Sequence, residues 1–226
     1  MKTTCLFLLF SLCAFSQEPM FYRASVLATI TLQTIKTTGF HPVFTKTGST
    51  LYWKWPDGTY VSSNGPTKTL SSGTKLVRAQ SQDGFITVTA VAINNLTLTG
   101  TLPSFATFTS MTTFDAHGNS LTGTIPSFAT CTALTDFELY TNAGITGTVS
   151  GSFATQKNLA TINISGAALT QAAVDQILSD CVASLAISGR VACALTLSAG
   201  TSSAPSAAGL VNAAALTTAG WSVVTN

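Results

Sequence analysis

LTGTLPSFAT, Leu98–Thr107, returns as LTGTIPSFAT at Leu121–Thr130 and again as ITGTVSGSFAT at Ile145–Thr155, at offsets of 23 and 24 residues. A period in this range marks a solenoid, in which each unit buries its apolar face against the next. Alignment on LTG places Val88, Val91, Ile93 and Leu98 in one unit and Met111, Phe114, Ala116 and Leu121 in the second. Leu134, Phe137, Leu139 and Ile145 belong to the third, and Leu159, Ile162, Ile164 and Leu169 to the fourth. These positions stack into a core, and the residues between them point outward because side chains alternate along a strand.

Reading across the units therefore gives three outward rows: Ala90, Thr113, Asp136, Thr161; Ala92, Asp115, Glu138, Asn163; and Asn94, His117, Tyr140, Ser165. Equivalent positions on adjacent strands stand about 4.8 Å apart. Three of the chain's eight acidic residues fall in this patch, although charged residues make up only 8% of the sequence. Like charges placed side by side on a sheet repel, so something is expected to offset them. Asp115, His117, Asp136, Glu138, Tyr140 and Asn163 are the candidate ligand-binding residues, suited to a glycan or a protein surface. A solvated face with one carboxylate of raised pKa is the equally open alternative. Oxygen-ligated Ca²⁺ and glycoside hydrolysis by Asp115 and Glu138 are weaker readings, because hydrolysis needs two carboxylates flanking a bond across a cleft.

The pattern L-x-x-L-x-L-x-x-N-x-L-T-G-x-I-P, over about Val88 to Leu169, resembles leucine-rich repeats of the variety common in plant receptors and in bacterial surface and phage fibre proteins. Asn119 and Asn142 occupy the turn after the strand, where an amide can satisfy backbone groups of a neighbouring turn. Leu96 stands there in the first unit. Beyond Leu169 the pattern changes. Thr170 can cap a helix over Gln171–Ala183, with Val174, Ile177, Leu178 and Cys181 on one face. A strand at Ala194–Ser198 follows, then a helix over about 207–218 opened by Ser203 or Ser206, closed by Gly220, and a last strand at Trp221–Thr225. This end segment resembles a terminal unit of leucine-rich proteins of bacteria and phage tails, and physically it is a cap over an open core.

Upstream of the repeats, SVLATITLQTI at Ser25–Ile35 and TLYWKWPDGTYV at Thr50–Val61 read as strands, with a turn at Pro56, Asp57 and Gly58. The expectation is an N-terminal β-sandwich over residues 17–86, followed by a repeat domain over 87–226 whose cap starts near residue 170. The stretch from Tyr52 to Thr59 resembles the W-x-F-G-D-G-T turn of PKD-like, immunoglobulin-type modules, with Pro56 where that family has Gly. The overall class is mainly β with some α.

The first sixteen residues read as an export signal: Lys2, an apolar run from Cys5 to Phe15, and the small Ala14 and Ser16 before a cut at Gln17. That run is too short to span a bilayer, so membrane contact is expected only through the signal. With the leader removed, Cys131, Cys181 and Cys193 remain. A disulfide between Cys181 and Cys193 and three buried thiols are both open readings.

From Gln17 to Asp83 there are seven basic and three acidic residues, and beyond residue 85 two basic and five acidic. The basic half shows no aromatic interleaving of the base-stacking kind, so no nucleic acid is expected as a partner. The sequence has no metal-spaced His or Cys cluster, no phosphate loop and no Ser-His-Asp order, and hence no expected cofactor, metal or catalytic residue. The reading that follows is a secreted or cell-surface, non-catalytic adhesion protein that binds a surface glycan or protein through the concave face of its repeats. A phage fibre or virion decoration protein, and a structural subunit that self-associates through its oppositely charged halves, are the alternatives.

Overall fold

The computed structural model describes residues 27–226, Ser49 excepted. The segment expected to be an export signal, with Cys5 and Cys13, lies outside the described residues, as do Glu18, Arg23 and the start of the Ser25–Ile35 strand. The N-terminal part runs through β1 (Ala28–Thr34), β2 (Val43–Lys46), β3 (Leu51–Lys54), β4 (Tyr60–Ser62) and β5 (Lys75–Ser81). The repeats supply β6 (Val88–Ala92), β7 (Leu98–Gly100), β8 (Thr113–Asp115), β9 (Ser120–Ile125), β10 (Asp136–Glu138), β11 (Gly144–Thr148) and β12 (Thr161–Asn163). The chain closes with α1 (Gln171–Ser184), β13 (Ala194–Thr196), α2 (Ala207–Thr218) and β14 (Ser222–Val224).

The repeats form a β-solenoid of about three turns, and the molecule is mainly β with two helices among the described residues. Each of the first three repeats gives one strand to each of two sheets, and the fourth gives only β12 before the chain enters α1. In the first sheet β6, β8, β10, β12, β13 and β14 lie parallel, one turn apart. In the second, β7, β9 and β11 do the same. Between the sheets the conserved spacing of the apolar residues becomes columns of rings. Phe85 stacks on Phe108 with centroids 4.8 Å apart, Phe105 on Phe128 at 5.5 Å, and Phe114 on Phe137 at 5.1 Å. In these three pairs identical residues one period apart meet face to face.

A self-contained N-terminal sandwich is not shown. Instead β1 adds antiparallel to β7, with Gln33 opposite Thr99, and carries β5, β3 and β4 outward as the rest of the second sheet. Strand β2 adds antiparallel to β6, with Phe44 opposite Val91, and so covers the first sheet's leading edge. An open solenoid end exposes unpaired backbone groups and core side chains, and these strands satisfy both needs. Both sheets run across the 86/87 boundary suggested by the sequence. So does the core, in which Phe44 meets Trp53 at 5.1 Å and Phe108 at 6.0 Å. A buried ion pair ties the junction. Lys46 Nζ, on a side chain 2% exposed, donates to Asp83 Oδ2 at 3.0 Å and to Ser81 Oγ at 3.1 Å.

The far end is closed by the helices. Thr170 caps α1 by accepting from Ala173 N at 3.2 Å, and Ser206, rather than Ser203, caps α2 by accepting from Gly209 N at 3.3 Å. Val174, Ile177, Leu178 and Cys181 face the core, as their spacing predicts. Asp180 fastens α1 to the third repeat by accepting from Gly151 N at 2.9 Å and Phe153 N at 3.2 Å. Cys131, Cys181 and Cys193 are free buried thiols. Of the two readings of Cys181 and Cys193, the structure therefore has thiols packed as small apolar groups, one on the inner face of α1 and one at the start of β13. Burial pushes the Cys193 thiol up to about 11. No helix among the described residues is long and apolar enough to cross a membrane.

Candidate functional site

The outward rows read from the sequence are the rows of the first sheet. Thr113 pairs with Asp136 and Asp136 with Thr161, while Asp115 pairs with Glu138 and Glu138 with Asn163. Phe114, Phe137 and Ile162, between them in the chain, are fully buried, so the alternation holds in every strand. The third row continues just past the strand ends, where Asn95 N donates to His117 O at 3.0 Å, Gly118 N to Tyr140 O at 3.0 Å and Thr141 N to Ser165 O at 2.8 Å. All six candidate residues, Asp115, His117, Asp136, Glu138, Tyr140 and Asn163, therefore share one face, each half-buried.

After each of the first five parallel strands of this sheet the chain turns through a residue of positive φ: Asn95 at 53°, Gly118 at 65°, Thr141 at 57°, Gly166 at 74° and Ala199 at 65°. Asn is the side chain that best tolerates this conformation, and Asn95 uses it to reach the site. Its Nδ2 lies 3.0 Å from His117 Nε2, while His117 Nδ1 lies 2.6 Å from Asp115 Oδ1. These partners assign the tautomer. Nδ1–H donates to the carboxylate, and Nε2 accepts from the amide. The imidazole is thereby held flat against Tyr140, with ring centroids 4.3 Å apart and planes within 5°. On the opposite side of Tyr140 the ladder carries Ser165, too small to cover a phenol ring. Ser165 instead turns to Asn163, its Oγ donating to Oδ1 at 2.8 Å.

Asn163 in turn hydrogen-bonds Glu138, whose second oxygen, Oε2, has no hydrogen-bond partner. Burial raises the Glu138 pKa most, and the neighbouring Asp115 and Asp136 charges add to the rise, against the Asn163 hydrogen bond and His117. Asp136 is separately satisfied, with Thr135 Oγ1 at 2.7 Å from its Oδ2. Of the two basic residues of the repeat half, Lys157 is exposed and Arg190 serves the fold elsewhere. Arg190 stacks over Trp221 at 4.4 Å and donates to Leu159 O at 2.8 Å. Among the described residues no group of three or more His, Cys, Asp or Glu is arranged to hold a metal ion. The face thus offers carboxylate and amide acceptors, amide and phenol donors, and the half-buried Tyr140 ring. Asn95 and Ser165 complete it and were not singled out from the sequence as contacts. The signal for Asn95 lay in the turn position it shares with Gly118.

The raised Glu138 pKa fixes a sign. The folded state binds the proton more tightly than the unfolded chain does, so Glu138 contributes most favourably below the ordinary glutamate range, about pH 4.3. That contribution is lost as pH rises through the folded-state value. Glu138→Gln is therefore expected to gain stability relative to the parent chain as pH increases from about 4 to neutrality. Urea denaturation of both proteins across that range reads the difference, and a flat difference rejects the assignment.

Comparison with protein-family models, with curated proteins and with solved structures finds no match to this chain.

Proposed function

We propose that this chain is a leucine-rich-repeat recognition protein, exported to the cell surface or its surroundings, that binds a surface glycan or protein without catalysing a reaction. The observation that carries this reading is the His117–Tyr140 stack set beside Asp115, Glu138 and Asn163 on one ladder. Stacking and hydrogen bonds from the next rung hold each group before any ligand arrives, which lowers the ordering cost of binding. A sugar ring or an apolar side chain can pack on the face of Tyr140 turned away from His117, while the carboxylates and the amide take its hydroxyl or N–H groups.

A non-catalytic role is supported by the placement of the acids. Asp115 and Glu138 are neighbours on adjacent strands of an open sheet, whereas glycoside hydrolysis sets two carboxylates on either side of the bond to be broken. Glycan-array and cell-adhesion signals of the full chain test the reading. Tyr140→Ala and Glu138→Ala are each expected to fold normally and to weaken binding about tenfold, the value of one charge-assisted hydrogen bond or aromatic contact. Unchanged signals in both variants reject it.

A further inference from the structure

The outer face of the second sheet takes no part in that reading. There β1, β5, β3 and β4 lie side by side, and the residues that alternate with buried Leu32, Val77, Ala79 and Trp53 point away from the core. One cross-strand row is Thr31, Arg78, Lys54, Tyr60, and the next is Thr29, Gln80, Tyr52, Ser62. Arg78 and Lys54 are direct partners, so two cations stand on neighbouring strands with their Cα atoms about 5 Å apart. Lys54 Nζ is held 4.9 Å from the centre of the Tyr60 ring. The lysine–carboxylate ion pairs among the described residues join Lys46 to Asp83 and Lys68 to Asp57, and neither reaches Arg78 or Lys54. Like charges directly opposite each other destabilise a sheet. Beside them Leu76 stands 47% exposed.

We propose that this face binds an acidic polysaccharide, a polyuronate, at a site separate from the Asp115–Tyr140 ladder. The charge argument names the ligand. The guanidinium of Arg78 presents a planar fork that matches a carboxylate, and Lys54 adds a second charge next to it. Around this pair the face is neutral, with the hydroxyl groups of Thr29, Thr31 and Ser62 and the amide of Gln80 on the same two rows. A nucleic acid carries a phosphate about every 1.7 Å of duplex and needs a track of cations, which two side chains do not make. A uronate chain carries one carboxylate per sugar, with hydroxyl groups between, and so fits a sparse pair of cations among amide and hydroxyl groups.

The test uses the full chain with immobilised alginate as the polyuronate, neutral dextran as control, and a single-stranded oligonucleotide as competitor, all at low salt. Binding to alginate but not to dextran is expected. Lys54→Gln combined with Arg78→Gln should weaken it at least about tenfold, and Arg78→Lys, which keeps the charge but loses the fork, should fall between. Glu138→Ala should bind alginate unchanged, which separates this site from the ladder. Both basic residues lie on the solvent side of the sheet, and an unchanged urea midpoint verifies folding. Absence of alginate binding, equal binding by the double variant, tighter binding to the oligonucleotide, or occupation of the face by a second copy in sedimentation would each overturn the proposal.

Discussion

Asn119→Ala is expected to cost about 4 kcal/mol of stability, more than its counterpart Asn142→Ala, although both remove the same buried side chain. The difference lies in what each amide leaves behind. Asn119 Oδ1 accepts from both Leu96 N and Leu98 N at 3.0 Å, and its Nδ2 donates to Ile93 O and Ala116 O at 2.9 Å. Alanine would orphan two buried N–H donors of the preceding turn, each worth about 1–3 kcal/mol when left unmet. Asn142 Oδ1 accepts only from Leu121 N, at 3.2 Å, while its Nδ2 donates to Ala116 O and Leu139 O. One orphaned donor and carbonyls with a second lone pair predict a loss of about 2 kcal/mol. Urea denaturation with a common slope gives both numbers. A loss under about 1 kcal/mol for Asn119→Ala, or the reverse order of the two, would mean that water enters the turns and meets these groups.

The same Asn ladder marks how far the repeat can be read. Leu98, Leu121 and Ile145 recur because each must stack on the one below, and a recurring stack fixes register. Register then places Asp115 beside Glu138 and Glu138 beside Asn163 without further information. Reading stops where the repeat is broken. Ala167 stands where Asn119 and Asn142 do, and its turn is satisfied from outside the pattern by Ser202, whose Oγ accepts from Leu169 N and donates to Ala167 O, both at 3.1 Å. Nothing in the spacing of Ser202 announces that role. The same limit explains the N-terminal strands. Alternation in Thr29–Leu32 shows which side of β1 is buried, but the partner of β1 is decided by which solenoid edge lies open, a property of the assembled turns. Thr34, at its end, donates to Leu96 O at 2.7 Å and so serves the turn that lacks an Asn. His117 illustrates a middle case. Its neighbour Tyr140 follows from the period, whereas its hold by Asn95 depends on a left-handed turn that only the backbone reveals.

Phe137→Ala is expected to cost about 4 kcal/mol and to weaken ligand binding as well, because this ring supports the site from behind. Its centroid lies 5.1 Å from Phe114, stacked, 5.0 Å from Phe128, edge on, and 5.1 Å from Phe153, edge on. Four rings from two successive turns of the solenoid therefore meet at this side chain. Removing it opens a cavity that its neighbours cannot fill, since Phe114 and Phe128 are themselves held by Phe105, at 4.9 and 5.5 Å. In sequence Phe137 sits between Asp136 and Glu138, so any collapse of β10 into the cavity shifts both carboxylates relative to Asp115 and Asn163. Phe137→Leu, which keeps much of the volume, should cost less than about 2 kcal/mol and leave the ladder in place. The pair of variants separates packing from recognition. If the ligand-binding loss follows the stability loss across Ala and Leu, the ring acts by supporting the site. If Phe137→Ala binds normally at a temperature where it remains folded, β10 is held in place by its hydrogen bonds to β8 and β12 alone, and the aromatic columns serve stability without serving the site.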